Sequence, residues 1–256
     1  MIAGELQLLA EAVAREAGAL LREAFRRTDL KIDAKSTPTD LVSEADHAAE
    51  ALIRERIGSA RPDDGILGEE GGDVEGSSGI RWVVDPLDGT VNFLFGIPQW
   101  AVSIAAEDAE GTLVGVVYDP ERDELFSARR GGTATLDGKP IQPSGKTDLA
   151  TSLVGTGFGY DAEVRRAQAA VVAGLLPVCR DVRRFGAAAI DLAWTACGRL
   201  DAYYEHGLNA WDLAAGGLIC ECAGLELRAL DPVGPSNPGV VVAPPTLVDA
   251  LVPYLR

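Results

Sequence analysis

Apolar residues set the first period of the chain: Leu6, Leu9, Val13, Ala17, Leu20 and Ala24 recur at steps of three and four. That spacing predicts a long helix over residues 5–26 with one buried face. A polar stretch, Lys35 to Asp40, separates it from a second helix that starts near Ser43, a good N-cap. This helix turns Ala45, Ala49, Leu52 or Ile53, and Ile57 inward until Gly58 and Pro62 stop it. From residue 80 the period drops to two. Arg81 to Val84, Ala101 to Ala105, Leu113 to Tyr118 and Glu124 to Ala128 read as strands of an antiparallel or mixed sheet. The Pro- and Gly-bearing stretch Gly138 to Asp148 interrupts the pattern and divides the chain into 1–145 and 146–256. Beyond it a strand, Ser152 to Gly155, precedes helices around 161–175, 187–197 and 212–222, and a strand closes at Val240 to Ala243. An α+β half followed by an α/β half is the expected architecture.

Composition narrows the possibilities. With 256 residues, 47% of them apolar, the chain can bury its own core, and its apolar runs fall well short of the ~18 residues a membrane span needs. Glu5, Glu11 and Glu16 break up the first segment, so it does not read as a secretory signal, and a cytoplasmic location is expected. The cysteines at 179, 197, 220 and 222 include no C-x-x-C pair and read as buried thiols. Twenty-three basic against thirty-nine acidic residues give a net charge of −16 with no compensating basic patch, which argues against nucleic acid as a partner. A small anion remains an admissible substrate where metal ions turn a carboxylate cluster cationic.

Such a cluster is written at the end of the strongest strand. Trp82-Val-Val-Asp85-Pro-Leu-Asp88-Gly-Thr90 leads from an apolar run into a Pro and Gly turn with two acids, whose side chains and the intervening Leu87 carbonyl are the oxygen donors that Mg²⁺ prefers. Gly89 permits close backbone approach, and amides at Gly89 and Thr90 can meet phosphate oxygens if a helical turn starts there. Taken alone, D-P-x-D is a surface Asx turn. Gly68-Glu69-Glu70 follows the apolar pair Ile66-Leu67, and Asp212 opens the apolar run Leu213 to Ile219, where a lone acid is ordinarily a helix cap.

Together, G-E-E at 68–70, D-P-L-D-G-T-V-N-F at 85–93 and W-D-L-A-A-G at 211–216 resemble the inositol monophosphatase family, whose blocks stand here in the same order. Lys35 to Asp46 is similar to that family's first loop and helix, and Asp201-Ala-Tyr-Tyr-Glu205 to its substrate-proximal strand. The resemblance implies a layered αβαβα sandwich of the sugar-phosphatase type and Mg²⁺-dependent hydrolysis of a small phosphorylated polyol, myo-inositol monophosphate first. It implies two ions, one on Glu69, Asp85 and the Leu87 carbonyl and one on Asp85, Asp88 and Asp212, with a third, weaker one typical of the family. Glu69 and Thr90 then orient and deprotonate the attacking water, and Asp46 supports Thr90 by a hydrogen bond. Substrate contacts fall to Asp88, Gly89, Thr90, Gly186, Ala188, Glu205 and Asp212, with Arg183 or Arg184 beside them and Arg183 taken first. A homodimer and sensitivity to Li⁺ are implied on the same ground. Cys222-Ala-Gly224-Leu225 departs from the family's usual Glu-Ala-Gly-Gly, at a helix end and away from these positions.

Histidinol phosphate, fructose 1,6-bisphosphate and 3'-phosphoadenosine compounds are alternative substrates for the same chemistry. The turn is also similar to the D-x-D-G-T of haloacid dehalogenase-type phosphatases, but here the acids are three apart, not two, and two helices precede them. His47 and His206 are the only histidines, too few for a histidine-based phosphatase or a histidine-rich zinc site, and no G-x-x-x-x-G-K-[ST] loop is present. A non-catalytic binding protein on the same fold, as some bacterial relatives are thought to be in transcription, is the alternative of another class.

Overall fold

In a computed structural model, which describes residues 2–26, 32–34 and 41–256, the first amphipathic segment forms α1 (Ile2–Phe25), burying Leu6, Ala10, Val13, Ala17 and Leu21. The antiparallel pair β1 (Ile32–Ala34) and β2 (Leu41–Ser43) leads into α2 (Glu44–Ala60), which buries Ala45, Ala49, Ile53 and Ile57, and with them the charged Asp46 and Glu50. The expected polar loop at 35–40 and the capping side chain of Ser43 lie outside the described residues.

Eight strands follow: β3 (Gly65–Gly68), β4 (Gly72–Val74), β5 (Arg81–Asp88), β6 (Ala101–Asp108), β7 (Gly111–Asp119), β8 (Glu124–Arg129), β9 (Thr135–Leu136) and β10 (Lys139–Pro140), with α3 (Thr90–Leu94) between β5 and β6. They form one sheet in the order β10-β9-β8-β7-β6-β5-β3-β4. The sheet is mixed because β3 runs parallel to β5 while the other pairs are antiparallel. Residues after 148 give α4 (Ala162–Leu175), α5 (Ala188–Ala196), α6 (Ala210–Cys222) and α7 (Pro245–Leu251), together with β11 (Leu153–Thr156), β12 (Asp181–Arg183), β13 (Ala202–His206), β14 (Glu226–Leu230) and β15 (Gly239–Ala243). The second sheet has the order β12-β11-β13-β15-β14.

Strand alternation sorts the core into layers. On β5, Trp82 and Val84 face α1 and α2, joining Leu6, Leu21 and Ile53, whereas Val83 faces the opposite way. There it meets α5 and α6 through Ile190, Leu192, Leu218 and Ile219, and these same helices pack with their other side on Tyr203, Val240 and Val242 of the second sheet. The outer face of that sheet, with Val154, Ala202 and Val241, is covered by α4 and α7. Helices, sheet, helices, sheet, helices is the αβαβα sandwich expected above, and α5 and α6 are its central layer. Of the four free thiols only Cys220 is buried; Cys179, Cys197 and Cys222 are partly exposed, correcting the expectation that all four are internal. Among the described residues no helix is long and apolar enough to cross a membrane.

Candidate active site

The site begins with a defect in β5. Against β6, Asp85 pairs with Ser103 and Asp88 with Ala101, so three steps on one strand match two on the other. Residues three apart on a regular strand point to opposite faces; the extra residue of this β-bulge brings Asp85 and Asp88 to one side. The Leu87 amide donates to Asp85 Oδ1 at 3.0 Å, and the Thr90 hydroxyl donates to the Leu87 carbonyl at 3.0 Å. The sequence reading assigned that hydroxyl to Asp46 instead. Asp46, in the first turn of α2 and 1% exposed, stands close enough to Asp85 to raise its pKa.

Asp88 crosses the molecule. Helix α5 starts after Ala187, which has no side chain able to cap it, and Asp88 takes the amides of Ala188 at 3.1 Å and Ala189 at 2.7 Å. A residue of the first sheet is therefore the cap of a central helix, stabilised by the positive end of the helix dipole. Beside it Asn92 on α3 donates to the carbonyls of Gln99 at 2.8 Å and Phe185 at 2.7 Å, fixing the approach to Gly186. Asp212 caps its own helix: its Oδ2 accepts the Asn209 amide at 2.7 Å. The cap expected of a lone acid is real, and the capping residue also lines the cavity described below. Glu69 follows β3 and donates its amide to Val84 O at 3.2 Å, one residue before Asp85. Glu205, near the end of β13, accepts a short hydrogen bond from the wholly buried Tyr203 hydroxyl.

Glu69, Asp85, Leu87, Asp88, Gly89, Thr90, Gly186, Ala188, Glu205 and Asp212 line one cavity of about 350 Å³. Arg183 does not belong to it. Its guanidinium pairs with Asp181 at 2.7 Å and with its neighbour's carbonyl, and the arginine lining the cavity is Arg184. On β12 residues 181 and 183 share a face, so the alternation that pairs them sends the next side chain to the other side, a signal the sequence carried. Sequence reasoning also missed Phe158, over which Arg184 lies at 5.9 Å, and Asp191 in the first turn of α5, almost fully buried.

The electrostatics are those of acids held together. Burial first, then the charges of Glu69, Asp88, Asp212 and Asp46, push Asp85 well above the ordinary carboxylate range. Burial raises Asp88 to about 7 although the amides of Ala189 and Ala188 pull it down. Asp212 is likewise raised to about 7 by burial and by Asp88, against the Asn209 amide. Glu205 reaches about 7 through burial and Asp212, partly offset by Tyr203 and Arg184. Asp191 is also driven well up, by burial, Glu205 and Asp88. Among the described residues no group of three or more His, Cys, Asp or Glu side chains stands already closed around one point. The donor set nevertheless fits hard divalent cations: all-oxygen, with several carboxylates lining one cavity, of which Asp85, Asp88 and Asp212 are destabilised as anions by burial and by acidic neighbours.

A family profile described as the inositol monophosphatase family matches residues 4–252. The inositol-1-monophosphatase of Mycobacterium bovis is 43% identical over 270 aligned positions, covering 98% of this chain and 93% of that protein. The Nus factor SuhB of Escherichia coli is 41% identical, over 84% of this chain and 82% of its own length. Among solved structures, the extragenic suppressor protein suhB from Bartonella henselae superposes with a TM-score of 0.92 at 32% identity, covering 98% of each chain.

Proposed function

Since the chain belongs to the inositol monophosphatase family, we propose that it is a phosphoric monoester hydrolase acting on a small phosphorylated polyol, myo-inositol monophosphate foremost, with Mg²⁺ in its carboxylate cluster. The observation carrying this is the convergence on one cavity of Glu69, Asp85, Asp88 and Asp212, each set by a different backbone device: a strand end, a bulge, a helix capped from afar and a helix capping itself.

Glu69, Asp85 and the Leu87 carbonyl would hold one ion, and Asp85, Asp88 and Asp212 a second, with a third bound more weakly. Such ions lower the pKa of a water and neutralise the charge that develops on the departing alcohol oxygen. The protein's share is positioning. Glu69 and Thr90 orient the water and take its proton, and the Thr90 hydroxyl is itself fixed by its bond to the Leu87 carbonyl. Backbone amides at Gly89 and Thr90 border the phosphate, and the Gly186-Ala187-Ala188 turn, whose last amide is already taken by Asp88, meets the substrate alcohol. Glu205, held by Tyr203, accepts from the substrate hydroxyls, and Arg184 supplies positive charge on a wall otherwise dominated by acids. No phosphorylated side chain is required. The parts 1–145 and 146–256 serve as two subdomains, the first bringing most of the carboxylates and the second Asp212, Glu205 and the turn at Gly186.

Phosphate release from myo-inositol 1-phosphate, histidinol phosphate, fructose 1,6-bisphosphate and 3'-phosphoadenosine 5'-phosphate, measured with Mg²⁺ and with EDTA, tests this. Turnover led by the inositol phosphate and abolished by EDTA is expected. A different leading substrate renames the enzyme within the same chemistry, and no turnover on any member refutes the reading. The relatives named Nus factor SuhB favour a second reading, a binding role on this fold, which the no-turnover outcome would promote.

A further inference from the structure

Glu50 lies on α2, four residues after Asp46 and four before Arg54, so the three share one helix face. Glu50 is 2% exposed, and its carboxylate carries three hydrogen bonds. Oε2 accepts the Glu70 amide at 2.8 Å, and Oε1 accepts the Gly71 amide at 2.7 Å and Arg54 Nε at 2.6 Å. Arg54 continues to the Gly72 carbonyl at 2.7 Å. The three successive amides of the turn after β3 are thereby all engaged: that of Glu69 by Val84 of β5, those of the next two residues by Glu50. The fit is close. A side-chain carbon at Gly68 or Gly71 would stand 2.5 Å or 2.4 Å from Glu50 Oε1, so the turn has no room to slide over the carboxylate.

Resting on the metal-dependent reading above, we propose that Glu50 is a positioning residue for Glu69: it fixes the backbone immediately after Glu69 and so sets where that carboxylate stands relative to Asp85 when a divalent cation is bound. Two features separate this from an ordinary structural contact. Glu50 spends both oxygens on consecutive amides of a three-residue turn rather than on a helix end or a distant loop, and the residue just before those amides is a cavity-lining acid. Arg54 meanwhile offsets the charge of a further buried acid beside the cluster and anchors the far side of the same turn. The clamp and the site are thus mechanically continuous across one peptide unit.

The test uses the full chain, stripped of metal, and two readouts besides turnover. Mn²⁺ binding is measured by titration calorimetry, and amide hydrogen exchange is followed at residues 69–72, for wild type and Glu50→Gln. Gln presents an NH₂ group to one of the two amides and cannot accept from both. Expected is a loss of protection at Glu70 and Gly71 and a rise in the Mn²⁺ dissociation constant of about tenfold or more, with kcat at saturating Mg²⁺ much less affected. Unchanged Mn²⁺ affinity in a folded Glu50→Gln variant overturns the proposal and leaves Glu50 a structural clamp. Should the variant not fold, wild type decides, because coupling is reciprocal: Mn²⁺ must slow exchange at the same two amides. Slowing there supports the positioning role and its absence overturns it. Wild type that binds no Mn²⁺ refutes the metal-dependent reading itself, an outcome distinct from binding that ignores Glu50.

Discussion

Gly89→Ala concentrates the demands of the site on one methyl group. Gly89 has φ +91, and an added Cβ would lie 2.8 Å from the Gln99 carbonyl oxygen and 3.2 Å from both Ala187 Cβ and Trp100 Cα. The left-handed conformation costs about 1–2 kcal/mol for a side-chain-bearing residue, and pushing back packed neighbours about 1–3 kcal/mol more. The sum, about 3.5 kcal/mol, corresponds to a fall in Tm of roughly 7–14 °C at this chain length. Gly138→Ala is the control: φ is +74 in the hairpin turn joining β9 and β10, but nothing lies within 4 Å of the added carbon. Only the conformational cost applies there, about 1.5 kcal/mol or roughly 3–6 °C. The obstructions at Gly89 are the strand entering β6 and the residue before α5, so relief must shift Asp88 or Thr90. A displacement near 1 Å costs about a hundredfold in rate. Calorimetry together with Mg²⁺-dependent phosphate release at a temperature where both variants are folded should show the larger Tm loss and the activity loss only in Gly89→Ala. Equal Tm losses, or full activity in Gly89→Ala, would refute the reasoning.

Arg184→Ala should raise KM for the phosphate substrate about tenfold, a loss of about 1.4 kcal/mol, whereas Arg183→Ala should leave steady-state kinetics alone; a reversed pattern would restore the assignment that the structure corrects. Asp88→Asn should remove most turnover with little loss of folding, since it neutralises a proposed metal ligand while preserving its shape; retained turnover at saturating Mg²⁺ counts against the ligand assignment. Asp64 is buried: burial pushes its pKa up, but hydrogen bonds from Arg61, Ser78 and Trp82 outweigh this and hold it below the ordinary value. A depressed folded pKa contributes stability that is present above the unfolded pKa of about 3.9 and lost as pH falls through the folded one. Asp64→Asn should therefore cost about 3 kcal/mol near pH 7 in urea unfolding followed by Trp fluorescence, and less as pH drops below about 4; a pH-independent difference rules this out.

Much of the site was legible because its parts are local. The turn that carries Asp85 and Asp88 is announced by its Pro and Gly, the capping acid Asp212 by its place before an apolar run, and Glu69 by its place at the end of a short apolar pair. The period of two marked Arg81 to Val84 as a strand, which the structure extends to Asp88 as β5. What escaped were contacts between segments far apart in sequence. Asp88 caps α5 across 100 residues, and Asn92 reaches Phe185 across 93. Glu50 reads as one more exposed acid on a helix whose apolar period is weak, and only the fold brings the turn at 69–72 over it. Tyr203 shows the same limit: its place in an apolar strand marks it as core, while its hydroxyl serves Glu205.

The shared central layer has a consequence for synthesis on the ribosome. The strands of the first sheet emerge before α5 and α6, the helices that cover its inner face, so Val83, Ala105, Val117 and Phe126 stay without their covering until residues 188–222 have been made. An apolar sheet face left open for that interval is a surface on which chaperones, or another nascent chain, would act. Truncation anywhere before α6 should therefore yield insoluble material rather than a folded half, and each completed molecule acquires Asp212 in the same event that closes its core.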